Sequence, residues 1–385
     1  MKEPAAQTVD LATYSRATLP ADALSLSDGR RLWERLRPFL ELEFPSPRTE
    51  GRWGVTSAGW AGVIHLTSRL RIRVLPSVPV ANLFRLLLPE TALPIRRLDE
   101  VQRLGVTSGL AEALALLLLF EAETLLADGL RPAYVPVAPT ASTLRGRLDM
   151  PRTLPLPPPR LAQRHTTLSV DTPEHRLIAR GLSVCPGSSI FPSDQPEWPD
   201  RFARAAEAFR YQGVSAPRLR YHRPETTAGT LARLLLESRT PTHRSGSALV
   251  PAFLFSMPDL FERYVAGALR RHCPPGWTVS IQETIRLSSS TRFRVDIVLR
   301  DPSGAVRTVI DTKYRPDAQL NAGDIAQVVA YAAALEASHA AVVFPVEVDT
   351  PGVTVGTVHV HPLGFPLDED LDAAAKNLVG WLTTF

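Results

Sequence analysis

Two aspartates and a lysine near residue 300 have residue types and a spacing that could do chemistry. Asp296 lies in the strand-like segment RFRVDIVL, and Asp311 and Lys313 lie in the next such segment, AVRTVIDTKY. The intervening DPSG is a turn sequence, so the two segments are predicted to form a hairpin. Two carboxylates and an ammonium group on one sheet face would suit a divalent metal ion and a phosphate undergoing cleavage.

The register of this predicted hairpin determines how close the three side chains lie. A four-residue turn pairs Arg300 with Ala305, which makes Asp296 and Asp311 diagonal neighbours on one face, about 7 Å apart. Lys313 lies two positions further along that face. The spacing therefore predicts that all three charged groups converge.

The alternative is that these three residues form an ordinary solvated charged face, which is the default for charge on a sheet. Two observations favour a functional site. The segment VRTVIDTKY is too apolar for an edge strand in water, and of the 43 basic residues only Lys2, Lys313 and Lys376 are lysine. A lysine pKa shifts readily whereas a guanidinium stays protonated, so a lysine retained among arginines suggests a specific role.

The helices on either side of the hairpin offer three auxiliary candidates. Gln327 and Tyr331 are four residues apart on the helix after the hairpin, so they share a face and could contact DNA or order the site. Glu262, on the helix before it, could be an extra metal ligand or hold a water molecule. Each of the three could equally be a helix-surface or capping residue.

A second candidate metal site is weaker. His359 and His361, in VHVHP, would face the same side of a strand, as two metal ligands might. No third ligand lies nearby in sequence, so a structural role is the preferred interpretation.

The segments around these residues predict a chain of three domains. Residues 1–105 combine a helical stretch, DGRRLWERLRPFLELEF, with strand-like runs at 61–66 and 70–75, which predicts an α+β domain. Residues 106–250 are dominated by helical periodicity and predict a mostly helical middle domain. In residues 251–385 the predicted order is helix, three strands, helix, strand.

Stretches rich in proline or glycine are predicted loops or linkers. They lie at 151–160, 185–200 and 241–253.

Composition excludes several classes of protein. A chain of 385 residues with 44% hydrophobic residues can form two or three globular domains. Its two cysteines lie too far apart in sequence for a thiolate cluster, and its longest apolar run, 113–120, is too short to span a membrane, so we expect a cytoplasmic protein. No G-x-x-x-x-G-K-[ST] motif occurs, so no nucleotide is expected to bind this chain.

The chemical residues resemble a known pattern. Asp296, then Asp311-Thr312-Lys313, then Gln327-x-x-x-Tyr331 resemble the PD-(D/E)xK nuclease motifs, with valine where the pattern has proline and aspartate as the second acid. More specifically, VDIVL, VIDTKY and DIAQVVAYA are similar to the McrC family, the nuclease subunits of McrBC modification-dependent restriction systems. The segments WAGVIHLTSRLRIRVLPSV, LRGRLDM and SVDTPEHRLIARGL resemble upstream blocks of the same family.

This resemblance implies a fold, a site and partners. The fold would be α+β and multidomain, with a C-terminal PD-(D/E)xK restriction-endonuclease-like α/β core of order αβββαβ. Asp296, Asp311 and the backbone carbonyl of Thr312 would bind Mg²⁺, for which Mn²⁺ could substitute. Lys313 would orient or deprotonate the attacking water. The partners would be an AAA+ GTPase ring resembling McrB, on which the first two domains would dock, and modified double-stranded DNA.

Two alternatives to this interpretation remain open at the level of sequence. The chain could be a non-catalytic adaptor that activates an AAA+ ring and keeps a nuclease-like domain as a scaffold. It could also be a nuclease of the same fold that acts on RNA or recombination intermediates. The intact set Asp296, Asp311 and Lys313 favours a catalytic chain over the adaptor.

Overall fold

The computed structural model divides the chain into two compact units. The first combines Met1–Ala92 with Thr240–Phe385, and the second is Leu93–Arg239. The residues that the structure describes are 7–37, 39–67, 70–87, 110–185, 197–210, 226–237, 239–245, 248–286 and 292–384. Among these residues, no helix is long and apolar enough to cross a membrane.

The N-terminal part of the first unit mixes helices and strands, as predicted. Its helices are α1 (Leu26–Leu36) and α2 (Val80–Leu87). Its strands are β1 (Gln7–Ala12), β2 (Arg16–Leu19), β3 (Leu40–Glu43), β4 (Trp53–Ser57), β5 (Trp60–His65) and β6 (Leu70–Leu75). The inward faces of α1 and of β1–β6 share one apolar core around the fully buried Trp53 and Ile72.

One helical prediction in this part was too long. The stretch DGRRLWERLRPFLELEF was expected to be a single helix, but α1 ends at Leu36 and β3 follows. A proline at position 38 accounts for the break, because proline removes a backbone donor and clashes with the preceding turn. The LELE segment after it alternates buried and exposed residues, which is the pattern of a strand.

The predicted linker at 241–253 is largely strand. The structure has β11 (Arg239–Ser245) and β12 (Ala248–Ser256) there, and the N-terminal sheet has the order β1-β6-β5-β12-β11 in the described residues. Strand β12 pairs antiparallel with β5, with Phe253 opposite Val63. Prolines at 241 and 251 suggested a loop, but pairing with a strand almost 200 residues earlier overrides that local preference.

The second unit is mostly helical, as predicted, but it also contains a small sheet. Its helices are α3 (Leu110–Asp128), α4 (Met150–Thr153), α5 (Pro173–Val184), α6 (Glu197–Ala208) and α7 (Thr227–Glu237). Its strands are β7 (Ala133–Val137), β8 (Thr140–Ala141), β9 (Arg147–Leu148) and β10 (Leu161–Ser169). Strand β10 pairs with the other three. The sequence did not reveal this sheet because β8 and β9 are two residues long, too short for a periodic pattern.

The predicted linker at 185–200 lies mostly outside the described residues.

The C-terminal part of the first unit has the predicted order of helix, three strands, helix and strand. The elements are α8 (Met257–His272), β13 (Thr278–Arg286), β14 (Arg292–Arg300), β15 (Val306–Thr312), α9 (Ala322–Ala334), β16 (His339–Phe344), β17 (Val353–Val355), β18 (Val358–Gly364) and α10 (Leu371–Leu382). The sheet order is β13-β14-β15-β16-β18-β17 in the described residues. Strand β15 runs antiparallel to β14 and parallel to β16.

Local signals start the two helices that flank the central hairpin. The Ser256 hydroxyl accepts a hydrogen bond from the backbone N–H of Asp259, and Pro258 lies in the first turn of α8. Asn321 and Asp324 form a reciprocal capping box at the start of α9.

The structure groups the chain differently from the three predicted domains. Residues 1–92 and 240–385 belong to one unit, because β12 completes the N-terminal sheet and α2 packs against the C-terminal segment. Asn82 Nδ2 donates to the carbonyl oxygen of Leu367 at 2.9 Å, and Arg85 forms an ion pair with Asp372 at 2.6 Å. Sequence periodicity reports local elements and carries no information about such long-range contacts.

Candidate active site

The hairpin register differs from the prediction, which changes the position of β15 relative to Asp296. The structure pairs Val298 with Val309 and Ile297 with Ile310, instead of Arg300 with Ala305. The register shifts between Leu299 and Arg300, where the strand after the turn has one extra residue. The predicted pairing of Arg300 with Ala305 is therefore wrong, and continuing the observed register would place Asp296 opposite Asp311 instead of diagonal to it.

Strands β14 and β15 separate at the candidate site. Their last pair is Ile297 with Ile310, after which β15 continues to pair with β16 through Asp311 and Thr312. The backbone N–H of Thr312 donates to Asp296 Oδ2 at 3.1 Å instead of to a backbone carbonyl of β14. A carboxylate therefore occupies the gap where the ladder between the two strands ends.

Lys313 lies beside Asp311 and is connected to helix α9. Its Nζ atom is 2.7 Å from Asp311 Oδ2, and it donates to Gln327 Oε1 at 3.2 Å. Gln327 Nε2 in turn donates to the Tyr331 hydroxyl at 2.8 Å. Tyr331 is 8% exposed and packs edge-on against Phe293. Gln327 and Tyr331 thus form a hydrogen-bonded chain behind Lys313.

The environment of Asp311 disfavours its negative charge. The residue is 1% exposed, and burial together with the nearby charge of Asp296 raises the pKa of Asp311 to about 6, although Lys313 opposes the shift. Burial also raises the pKa of Asp296, and the Thr312 amide and Lys313 counteract part of that effect. Asp311 Oδ2 is buried and lies 2.7 Å from Lys313 Nζ, so the ammonium group is its partner.

Glu262 also lies near the aspartates. It projects from α8, where burial and the charge of Asp296 raise its pKa. Gln282 Nε2 donates a hydrogen bond to Glu262 Oε1. The predicted auxiliary residues Glu262, Gln327 and Tyr331 are therefore all brought to the region of Asp296, Asp311 and Lys313.

Gln282 is a site residue that sequence reasoning missed. It lies in β13 between the pairs Ile281–Ile297 and Glu283–Val295, which places it opposite Asp296. Its φ of 55° is in the left-handed region that non-glycine residues rarely adopt, and its Oε1 atom is buried without a hydrogen bond among the described residues. A glutamine in a strand gives no sequence signal for such a conformation.

The predicted histidine pair is joined by a third histidine from the neighbouring strand. His339 lies opposite His359 in the parallel ladder, and His339 Nδ1 is 3.2 Å from His361 Nε2. Burial and the neighbouring imidazoles lower the pKa of His361 to about 4. Within the described residues, no group of three or more His, Cys, Asp or Glu side chains is arranged to hold a metal ion.

A magnesium ion nevertheless fits the donors that are present. Mg²⁺ is usually held by one or two carboxylates, with water and substrate phosphate supplying the other oxygens, so a group of three protein ligands is not required. Both aspartates are partly desolvated, which disfavours their negative charges, and the charge of Asp296 further disfavours that of Asp311. A divalent cation would relieve both conditions.

These features define a multidomain α/β protein in which two aspartates and a lysine meet where two central strands separate. A family model described as "McrBC 5-methylcytosine restriction system component" matches residues 55–345. The match extends over most of the chain, and the protein belongs to that family. The resemblance to McrC that the motifs predicted is thereby confirmed.

One solved structure agrees with this family at the level of fold. A chain of the refined half-complex from a tetradecameric assembly of Thermococcus gammatolerans McrB AAA+ hexamers with bound McrC is 14% identical, with a TM-score of 0.60, covering 98% of this chain and 100% of that one. A chain of the cryo-EM structure of the T. gammatolerans McrBC complex is 16% identical with a TM-score of 0.40, covering 69% and 88%. No curated protein matches the sequence significantly.

Proposed function

We propose that this chain is the metal-dependent DNA endonuclease subunit of a McrBC-like restriction system, and that its C-terminal sheet is a PD-(D/E)xK core. The observation that carries the proposal is the meeting of Asp296, Asp311 and Lys313 at the end of the β14–β15 ladder, with Gln327 and Tyr331 behind the lysine. Membership of a restriction-system family supports the same conclusion.

Asp296, Asp311 and the backbone carbonyl of Thr312 would hold Mg²⁺, and Mn²⁺ could replace it. When bound, the ion would act as a Lewis acid on the phosphate and lower the pKa of a coordinated water. Its two positive charges would also offset the net single negative charge of two aspartates and one lysine. The site would then attract the phosphodiester group.

The protein's own residues would position the reactants. Lys313 is half-buried and held by Gln327, so its ammonium group would orient the attacking water and stabilise negative charge on the phosphate oxygens. Attack of a water oxygen at phosphorus forms one P–O bond and breaks the bond to the leaving oxygen; the attacking water releases a proton to solvent, and the leaving oxygen would take one from a solvent water. Glu262, held by Gln282, would orient a second water near Asp296.

Cleavage of methylated plasmid DNA tests this function. The purified chain, together with its AAA+ partner and GTP, is expected to nick a plasmid containing 5-methylcytosine in Mg²⁺ and not in EDTA. Lys313→Ala should abolish nicking while the chain still folds. Lys376→Ala is the matched control, because Lys376 is an exposed lysine on α10 of the same unit. Equal cutting by wild type and Lys313→Ala would refute the assignment.

The AAA+ partner follows from the family and from the absence of a nucleotide-binding loop in this sequence. The T. gammatolerans assembly combines McrB AAA+ hexamers with McrC, and this chain shares its fold with a chain of that assembly. Five of the ten large hydrophobic residues that are exposed among the described residues belong to the small sheet of the second unit, its loops and α4: Tyr134, Leu144, Met150, Leu154 and Leu168. Tyr134 and Leu168 are neighbours in the β7–β10 ladder, and contiguous exposed apolar residues often mark protein interfaces.

Docking on the AAA+ ring can be tested separately from cleavage. Tyr134 and Leu168 are partners in the β7–β10 ladder, so Tyr134→Ser with Leu168→Ser removes adjacent apolar area from one surface. The double variant is expected to lose stimulation of the partner's GTP hydrolysis. Native mass spectrometry that shows the same complex with the wild-type and variant chains would contradict this docking surface.

A non-catalytic adaptor is the second candidate function. The same exposed apolar residues favour it, because they provide an interaction surface that does not depend on the aspartates. The adaptor would stimulate GTP hydrolysis by the partner but show no Mg²⁺-dependent nicking of any DNA. The plasmid assay therefore separates the two candidates.

A further inference from the structure

Three arginines share one face at the end of the β13–β14 ladder. Arg286 lies directly opposite Arg292, and Arg294 is two positions further along β14. All three side chains are exposed, whereas Ile285, Phe293 and Val295 point the other way into the core of the C-terminal sheet. Because side chains alternate along a strand, Arg286, Arg292 and Arg294 form one surface, here called the arginine face.

The three guanidinium groups of the arginine face form no ion pair within the described residues, although the charge of Arg294 acts on the carboxylates of Asp296 and Glu262. Arginines elsewhere in the same sheet do form such pairs: Arg300 with Glu283 at 2.7 Å, and Arg307 with Asp301 at 2.7 Å. Like charges directly opposite each other destabilise a strand pair, so the arrangement of Arg286 and Arg292 does not serve the fold.

The arginine face lies next to the candidate active site. Arg294 is two residues from Asp296 on the same strand, and its charge acts on both Asp296 and Glu262. An extended strand places the Cα atoms of Arg292 and Asp296 about 13 Å apart. One strand of a DNA duplex covers that distance in about four nucleotides, at about 3.4 Å of rise each.

We propose that Arg286, Arg292 and Arg294 bind the phosphate backbone of double-stranded DNA and position it with one phosphodiester at the carboxylates. The guanidinium group presents donors in a planar fork that matches phosphate oxygens. Contacts of this type fix the position of the duplex without reading its sequence. The inference rests on the proposed nuclease function, for which it names the surface that holds the substrate.

Binding of a fluorescent duplex to the full-length chain in EDTA tests the proposal without cleavage. The triple variant Arg286→Gln, Arg292→Gln, Arg294→Gln is expected to bind at least about tenfold more weakly at 50 mM salt. Its slope of log Kd against log salt should fall by about 2.7, since each lost phosphate contact removes about 0.9. Duplexes with and without 5-methylcytosine should lose affinity equally.

Two control variants define the role of charge and position. The first control replaces three exposed arginines of the N-terminal part: Arg30→Gln, Arg31→Gln and Arg48→Gln. It removes the same charge and should retain the wild-type slope of log Kd against log salt. Replacing the three arginines of the face with lysine should keep the slope while lowering affinity. The unfolding temperature of the glutamine variant should not fall, because the change removes like-charge repulsion.

The outcomes separate this inference from the proposed nuclease function. If the glutamine variant binds the duplex with unchanged affinity and an unchanged salt slope, the proposed role of the arginine face in DNA binding is refuted, even if the wild-type chain cuts DNA. Loss of the AAA+ complex with unchanged DNA binding would also overturn it and assign the face to protein docking. Weakened DNA binding by the glutamine variant would support the face even if no metal ion supports cleavage by the wild-type chain.

Discussion

Replacing Asp311 with asparagine is expected to stabilise the metal-free protein while abolishing cleavage. Asparagine keeps the shape of the side chain but removes a charge that its surroundings disfavour. Burial and Asp296 raise the pKa of Asp311 from 3.8 to about 6 even with Lys313 alongside. A shift of about two units makes the ionised folded state about 3 kcal/mol less stable at neutral pH.

The sign of the pH dependence follows from the direction of the shift. Because the folded-state pKa of Asp311 is higher than the unfolded value, its ionisation destabilises the fold as pH rises from about 4 to about 6. The full effect is present above about pH 6. The stability advantage of Asp311→Asn should therefore be largest at pH 8 and shrink at pH 5.

Thermal unfolding in EDTA at pH 8 measures the effect. In a unit of this size, about 3 kcal/mol corresponds to a rise of roughly 6–12 °C in Tm. We expect the lower end, because asparagine leaves Lys313 without its ion pair. Mg²⁺ should raise the Tm of the wild type and leave that of Asp311→Asn unchanged.

Asp349→Asn is the matched control, since Asp349 is exposed in the same unit and should show neither effect. A variant Asp311→Asn that is less stable than the wild type in EDTA would refute the electrostatic reasoning. An equal response of both proteins to Mg²⁺ would refute the role of Asp311 in metal binding.

Three further predictions concern neighbouring groups. Gln282→Gly should raise the free energy of unfolding by about 1 kcal/mol, because glycine adopts the left-handed backbone conformation without strain. Nicking by the same variant should require a several-fold higher concentration of Mg²⁺, because Glu262 loses its hydrogen bond. A variant less stable than the wild type would contradict this prediction. Tyr331→Phe keeps the packed ring but removes the acceptor for Gln327, so kcat should fall about fivefold, and unchanged kcat would exclude that support. His361→Gln should be about 1 kcal/mol more stable than the wild type at pH 4 and equally stable at pH 8. The reason is that protonation of His361 between pH 6.5 and 4 is disfavoured in the folded state, although the partial exposure of the side chain reduces the effect. Free energies of unfolding that vary with pH in the same way for both proteins would refute this.

The candidate active site was predictable because its signals are local. Asp296, Asp311 and Lys313 lie on two strands joined by a short turn, so alternation and turn chemistry bring them near each other without knowledge of the rest of the fold. Gln327 and Tyr331 could be paired because helical periodicity places residues four apart on one face. The exact register was not predictable, because one extra residue beside the turn shifts the pairing.

The features missed at the sequence level depend on contacts between distant segments. Gln282 is important through its backbone conformation and its bond to Glu262 on another element. His339 meets His361 only because β16 and β18 pair in parallel. The absence of ion pairs at the arginine face, within the described residues, can be recognised only by finding which arginines have carboxylate partners.

The sequence by itself determined the family, the order of elements in the C-terminal sheet and the identity of the charged residues at its centre. These follow from residue type and short-range periodicity, which a chain carries irrespective of its folding. The tertiary structure decided that the N-terminal and C-terminal segments form one unit, because the pairing of β12 with β5 joins residues almost 200 positions apart. It also decided the register of β14 with β15 and the desolvation of Asp311, because both depend on how neighbouring elements pack.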